Sequence, residues 1–344
     1  MIIGSIWNPE LESIFKKYFG NKIHTCGQLS SHGSERIILR LKSKDDKSAI
    51  GIINKDIKEN RAFIEWSEHF RKFSLNVPEI YGISDDYKCY IMEDLGDLTF
   101  FKYIIKNRNT NNTLSPDTME YYKMTLSELP KFQILAGQSI NYNLCYQFNK
   151  FGIQNIESDL NYFKEMFLEI FYRKYNEEKL HKDLNSLKKI LIQIPKKYFL
   201  YRDFQSRNIM IKNHSLYFID YQSGRKGALQ YDLASLLFDA KADVPQNIRE
   251  ELIDCYINEA KNYISVNNDE FRHYFWYFAI ARILQAMGAY GYLGKVKKKK
   301  SFLESIPYAI NNINMILNQN IEKNSLEYLR EMFKEIKINQ KEEG

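Results

Sequence analysis

The sequence predicts an α+β protein built as two lobes, a small β-rich one over residues 1–92 and a larger, mostly helical one over 93–344. Three observations carry this expectation. Short strand-like runs (ILRL, SAIGII, CYIMED) gather in the N-terminal part of the chain. Beyond them, apolar residues recur at helical spacing almost to the C-terminus. The exception is a pair of short apolar runs near residue 210 with a polar turn between them, which reads as a tight β-hairpin. A length of 344 residues accommodates both lobes and a sizeable core.

The first element is a helix. Asn8 caps it, Pro9 fits its first turn, Leu11, Ile14, Phe15 and Tyr18 follow at helical spacing, and Gly20 closes it. Leu29 to Arg36 then separates two predicted strands, with Ser31, His32, Gly33 and Ser34 at its centre. Such a connection is either a plain hairpin turn or a loop whose backbone N–H groups approach a phosphate. Neither G-x-G-x-x-G nor G-x4-G-K-[ST] occurs in the chain, which excludes a P-loop enzyme. Residues 48–53 form the next strand and 57–70 the helix after it, which carries Glu59 and Glu65. That strand has no lysine; Lys55 and Lys58 come just after it. Residues 77–81 and 89–97 follow, the second a buried strand that runs through Met92, Glu93 and Leu95 into a polar connector containing Gly96. The lobe boundary is expected there. Residues 107–116 read as a polar surface loop.

In the second lobe, Met119, Tyr122, Met124, Leu126 and Leu129 mark a helix broken near Pro130. A further helix is expected to start at Ser158 or Asp159, with Asp159 and Asn161 in its first turn. After the hairpin, helices are predicted over 229–240, 249–260 and 272–292. Leu326, Leu329, Phe333 and Ile336 mark a last amphipathic one. Arg282 lies in an otherwise almost wholly apolar helix, so its charge must be paired or must line a cavity.

The hairpin carries the chemistry. It follows Arg202-Asp203, begins after Asn208 and ends before Asp220, so its open end brings Asn208 and Asp220 together with Asp203 close by. Two carboxylates and an amide oxygen suit a hard cation such as Mg²⁺, which keeps waters and phosphates in its shell. Phosphoryl transfer needs this set: one Asp accepts the proton of the acceptor hydroxyl, and an Asn and a second Asp hold the metal that bridges the nucleotide phosphates. Asp203 is the expected base, and Asn208 and Asp220 the expected metal ligands. The plainer alternative is that D-x4-N arises by chance and that Asp and Asn simply favour turns.

RDFQSRNIM followed by IDYQSGRKGALQYDLASLL resembles the aminoglycoside phosphotransferase and choline kinase superfamily, relatives of the protein kinases. Within it, the match is similar to the branch that phosphorylates cell-wall amino sugars, N-acetylmuramate and N-acetylglucosamine, at the anomeric hydroxyl. The similarity is strong over about 198–239 and weaker elsewhere. It implies a bilobal protein-kinase-like fold with ATP or GTP as co-substrate, Mg²⁺ as cofactor and an amino sugar as acceptor. It also implies that Asp232 steadies the catalytic loop. GSERIILRL resembles a segment of the sugar-kinase branch, which also lacks the strand lysine; Arg36 or Arg40 would then contact phosphate, with Ser31 to Ser34 covering it and Glu59 as partner. Backbone groups of Met92, Glu93 and Leu95 would meet the base, and Asp159, Asn161, Arg202 and Arg282 the acceptor. Tyr201 departs from the pattern, since most of the superfamily has His there.

Composition narrows the field. Net charge is +6, and the five lysines between Lys295 and Lys300 nearly account for it. A basic face interleaved with stacking groups is missing, which argues against nucleic acid as partner; the lysine run reads as a solvated loop. The four cysteines are widely spaced, which fits a reducing compartment and no zinc site. With no leader pattern and no long apolar run, a cytoplasmic protein without membrane attachment is expected. Two other functions stay open: an aminoglycoside- or choline-type kinase, and a nucleotide-sensing pseudokinase, the latter favoured by the lysine-free strand.

Overall fold

The computed structural model describes residues 8–29, 36–108 and 113–336. The N-terminal part is a five-stranded antiparallel sheet with two helices. Its strands are β1 (Thr25–Leu29), β2 (Ile37–Lys42), β3 (Ser48–Ile53), β4 (Ile80–Ile83) and β5 (Cys89–Glu93), in the order β1-β2-β3-β5-β4. Period-two alternation gives this sheet two apolar faces. Leu39, Leu41, Ala49 and Ile91 face outward onto Leu11 and Phe15 of α1 (Pro9–Phe19), forming a small separate core. Ile50, Ile52 and Tyr90 face inward and join the main core with Phe63, Trp66 and Phe70 of α2 (Ile57–Lys72).

The helix signals act as expected at α1. Asn8 Oδ1 accepts from the amides of Glu10 and Leu11, and Gly20 closes the helix in the left-handed region at φ 74°. Asp56 caps α2 in the same way.

The rest of the described chain is mostly helical: α3 (Phe100–Lys106), α4 (Pro116–Pro130), α5 (Ile153–Phe163), the single turn α6 (Glu169–Phe171), α7 (Glu177–Gln193), α8 (Leu229–Leu237), α9 (Gln246–Ala260), α10 (Asn268–Gly291), α11 (Ile306–Gln319) and α12 (Glu327–Glu335). Two small strand pairs interrupt it. One is β6 (Tyr198–Leu200) with β9 (Arg225–Gly227); the other is the hairpin of β7 (Ile209–Lys212) and β8 (Ser215–Phe218). Asn213 and His214 both have positive φ, at 50° and 63°, the two-residue turn whose twist suits a hairpin. The architecture is thus α+β, a sheet-rich N-terminal part followed by a mostly helical one, as the sequence predicts.

Two elements differ from expectation. The helix expected to begin at Ser158 or Asp159 begins at Ile153, where Asn155 Oδ1 accepts from the Gly152 amide. Asp159 is therefore mid-helix and no cap, because Ile156, Leu160 and Phe163 already hold the earlier turns against the core. The β6–β9 pair was not anticipated; strands of three residues carry too little alternation to read.

Helix α10 approaches the segment after α5 closely enough to need glycine. A methyl on Gly288 would stand 2.8 Å from the Tyr162 carbonyl oxygen, and one on Gly291 would run into that of Met166. No helix among the described residues is long and apolar enough to cross a membrane. Gly291→Ala is expected to force the two segments apart and to cost about 1–3 kcal/mol, read as a lower midpoint in urea unfolding.

Candidate active site

The hairpin is tied to the segments before β4 and after β5. The Ile211 amide donates to the Leu98 carbonyl (2.8 Å) and the Phe218 amide to that of Asn76 (2.9 Å). Lys212 Nζ binds Glu93 Oε1 at 2.7 Å. Register pairs Ile209 with Phe218, and the Ile219 amide donates to the Asn208 carbonyl at 3.0 Å, so Asn208 and Asp220 meet at the open end. Asn208 Nδ2 donates to the Asp203 carbonyl (2.8 Å) and to Asp220 Oδ2 (3.3 Å), which leaves its Oδ1 free of protein donors among the described residues. The Asp203 carboxylate likewise accepts no hydrogen bond from any described residue. The three side chains converge.

Asp232, fully buried on α8, sets this loop. Its Oδ2 accepts from the Tyr201 amide (2.8 Å) and Gln133 Nε2 (2.8 Å), and its Oδ1 from the Arg202 amide (2.9 Å). Burial raises its carboxyl to about 7 against the pull of those donors. Arg202 and Asp220 hold φ of 80° and 70°, a conformation that costs about 1–3 kcal/mol per residue and persists only where neighbours impose it. Tyr201 supplies another restraint: its hydroxyl donates to the Ile219 carbonyl (2.6 Å), the residue before Asp220.

From the N-terminal sheet, Arg36 reaches the same place. Its Nη2 lies 2.8 Å from Asp220 Oδ1 and its Nε 3.7 Å from Glu59 Oε1 on α2. Burial opposes the guanidinium charge, but Asp220, Tyr90 and Glu59 raise its pKa above the ordinary value. Gln222 Nε2 also binds Asp220 Oδ1, at 2.8 Å. Arg40, the other candidate, is tied to the connector instead: it bonds Asp94, Asp97 and the Gly96 carbonyl. Lys55 and Lys58 are exposed. Ser31, His32, Gly33 and Ser34 lie outside the described residues.

No protein-family model matches the chain. Over 251 residues, 70% of this chain and 71% of the relative, it is 22% identical to the N-acetylmuramate/N-acetylglucosamine kinase of Neisseria meningitidis. Among solved structures, the ethanolamine kinase of Plasmodium vivax is similar with a TM-score of 0.57 and 14% identity, covering 85% of this chain and 81% of that one. A spectinomycin phosphotransferase solved with AMP is similar with a TM-score of 0.58 and 14% identity, covering 92% and 100%.

The chain has the fold of the aminoglycoside phosphotransferase and choline kinase superfamily. Tyr201, fully buried, holds the carbonyl that precedes Asp220 through its hydroxyl.

The remaining predicted positions lie on several separate elements. Met92 and Glu93 end β5, and Leu95 is buried just beyond. Arg202 forms a two-pronged ion pair with Asp159, Nη2 to Oδ1 at 2.6 Å and Nη1 to Oδ2 at 2.8 Å, and Nη1 also donates to the Tyr231 hydroxyl. Asn161 is exposed in an open polar groove with Gln154, Tyr162 and Glu165. Arg282 is buried, with Nε on Ser235 Oγ (3.0 Å) and Nη1 on Gln285 Oε1 (2.9 Å). Sequence reasoning missed Gln222 and Arg225, whose only signal is their place between Asp220 and Asp232. Burial raises the Asp203 carboxyl, Asp220 raises it further, and Arg202, Arg282 and Arg225 pull it back.

Magnesium fits the donors present. Asn208 Oδ1 and the Asp220 carboxylate are hard oxygens of the kind Mg²⁺ takes alongside waters and phosphates, and no group of three His, Cys, Asp or Glu forms a closed cage among the described residues. Asp232→Asn would turn an amide NH₂ toward backbone or Gln133 donors, and is expected to cost about 1–3 kcal/mol. Thermal unfolding of the variant checks this.

Proposed function

We propose that the protein is a small-molecule kinase that moves the γ-phosphoryl group of ATP or GTP onto a sugar hydroxyl, with the anomeric hydroxyl of N-acetylmuramate or N-acetylglucosamine as acceptor. The observation that carries this reading is the meeting of Asp203, Asn208 and Asp220 at the mouth of one hairpin, with Arg36 and Glu59 reaching Asp220 from the other lobe. The choice of acceptor draws support from the Neisseria relative, and the nucleotide from the AMP held by the spectinomycin phosphotransferase.

In this reading the Asp203 carboxylate takes the proton of the acceptor hydroxyl. The acceptor oxygen bonds to the γ-phosphorus as that phosphorus parts from the bridging oxygen, which leaves with the nucleoside diphosphate. Mg²⁺, when bound by Asn208 Oδ1 and the Asp220 carboxylate, supplies neutralisation of phosphate charge. Arg36 supplies the cation that other kinases place on the third strand, steadied by Glu59. Backbone groups of Met92, Glu93 and Leu95 face the base, and Arg202, Asp159, Asn161 and Arg282 line the acceptor side.

One observation favours a second reading, a nucleotide-binding regulator without turnover: β3 carries no lysine. Kinetics separates the two. Asp203→Ala is expected to lower turnover by about 10²–10⁴ while nucleotide affinity stays near wild type in calorimetry. Asp220→Ala should also weaken Mg²⁺-dependent nucleotide binding; equal, mild effects of both substitutions would count against catalysis. Arg36→Met, which removes the charge from the centre of the cleft, is expected to weaken nucleotide affinity about tenfold or more, measured by the same titration.

A further inference from the structure

Positive charge in this chain is concentrated in one turn. The lysines between Lys295 and Lys300 nearly account for the net charge of +6, and no Asp or Glu occurs between Glu270 and Glu304. Glu304 itself is taken by Lys241, at 2.6 Å. Among the described residues, no carboxylate stands within ion-pair distance of Lys297, Lys298 or Lys300.

The fold gives this run a fixed shape. It follows directly on the end of α10, where the Lys297 amide donates to the Tyr292 carbonyl (3.0 Å) and the Lys299 amide to that of Leu293 (2.9 Å). Buried Gly294 lies against the Leu303 side chain, and Lys298 turns the chain back at φ 56°. With the inner side tied down, every residue from Lys295 to Lys300 is exposed. Val296, in their midst, is 52% exposed, the most exposed large apolar side chain among the described residues. A lone exposed apolar residue is ordinary. Flanked by lysines on a held turn, it has the make-up of a bilayer contact: the apolar tip enters the headgroup layer while flexible stems carry ammonium groups to lipid phosphates. Nucleic acid is a poorer fit. The run contains no arginine, and the nearest rings, Phe171 and Tyr292, are covered by Lys295 and Lys297 Nζ at 5.9 and 5.6 Å rather than open to a base.

We propose that Lys295 to Lys300, with Val296 at the centre, form a peripheral docking surface for anionic lipid bilayers. This departs from the expectation of a protein without membrane attachment, and it stands independently of the kinase reading. Attachment is reversible, since one polybasic turn with a single apolar side chain falls short of the two signals that stable anchoring takes. The turn borders the open polar groove that contains Asn161: Tyr292 stands 6.3 Å from Tyr162, which lines that groove. Docking thus holds the groove close to the bilayer surface.

The test sediments the full chain with vesicles of phosphatidylcholine alone, or of phosphatidylcholine and phosphatidylglycerol in equal parts, at about 0.15 M salt. Binding is expected to the mixed vesicles only, with half-saturation on the order of 1 mM lipid or below, and it should weaken as salt rises. Combining Lys297→Gln, Lys298→Gln, Lys299→Gln and Lys300→Gln is expected to lower affinity about 100-fold or more, each lysine near the surface being worth about fivefold. Val296→Ser keeps the charge and is expected to weaken binding about three- to tenfold. No binding at that salt, equal binding to both vesicle types, or unchanged affinity in either variant overturns the docking surface and leaves the kinase reading untouched. Duplex DNA and polyglutamate are added as competitors at charge equal to the anionic lipid; displacement from the vesicles by either assigns the turn to nucleic acid or to an acidic protein and equally overturns it. Unfolding midpoints are expected to match wild type. Should the combined variant unfold early, the single variants Lys298→Gln and Lys300→Gln carry the same reading at about fivefold each.

Discussion

One buried carboxylate governs the catalytic segment. Asp232 accepts from two successive amides, Tyr201 and Arg202, and this two-oxygen grip holds the chain in the positive-φ turn that directs Asp203 toward the cleft. The strain at Arg202 is sustainable because the amides on either side of the turn have no water to return to. Gln133, in the turn that follows α4, completes the acceptor's shell and itself accepts from the Tyr256 hydroxyl of α9, so the loop is fastened to the helical part of the chain. The proposed role of Asp203, taking a proton from a hydroxyl held within hydrogen-bonding reach, calls for a mounting of this rigidity.

The second constraint is aromatic. Phe63 of α2 stacks on Tyr221 at 4.9 Å and 7°, Phe70 meets Tyr221 edge-on at 5.1 Å, and the Ser67 hydroxyl bonds the Tyr221 hydroxyl. The residue after Asp220 is thereby wedged against the helix that carries Glu59. Because this contact is dry and closely packed, Glu59 and Asp220 keep a distance that one guanidinium can span, and Arg36 spans it. The cation that bridges helix and loop stands just before β2, and its long, forked side chain reaches both carboxylates.

Legibility varied with the range of the interaction. The α1 caps, the hairpin and the pairing of Asn208 with Asp220 depend on neighbours within a few residues or on register, and such patterns are written directly in the chain. Asp232 was read as a loop-steadying residue from resemblance, and its hydrogen bonds give that role a physical form. Less was legible for Asp159. Its position among polar residues suggested a helix cap, whereas it sits mid-helix and meets Arg202, 43 residues away. Arg36 and Arg40 looked interchangeable four residues apart, yet Arg36, just before β2, meets Asp220, and Arg40, within β2, meets the connector.

By itself the sequence determined the α+β class, the hairpin and the three oxygen-bearing side chains at its mouth, since local propensity, turn chemistry and strand register suffice for these. Only the tertiary structure decided that Arg36 rather than Arg40 reaches Asp220, that the Tyr201 hydroxyl holds the Ile219 carbonyl, and that Arg225 and Arg282 both act on Asp203. Those outcomes depend on which side chains long-range packing brings together, and charge balance in a buried site is a property of the whole neighbourhood rather than of any segment.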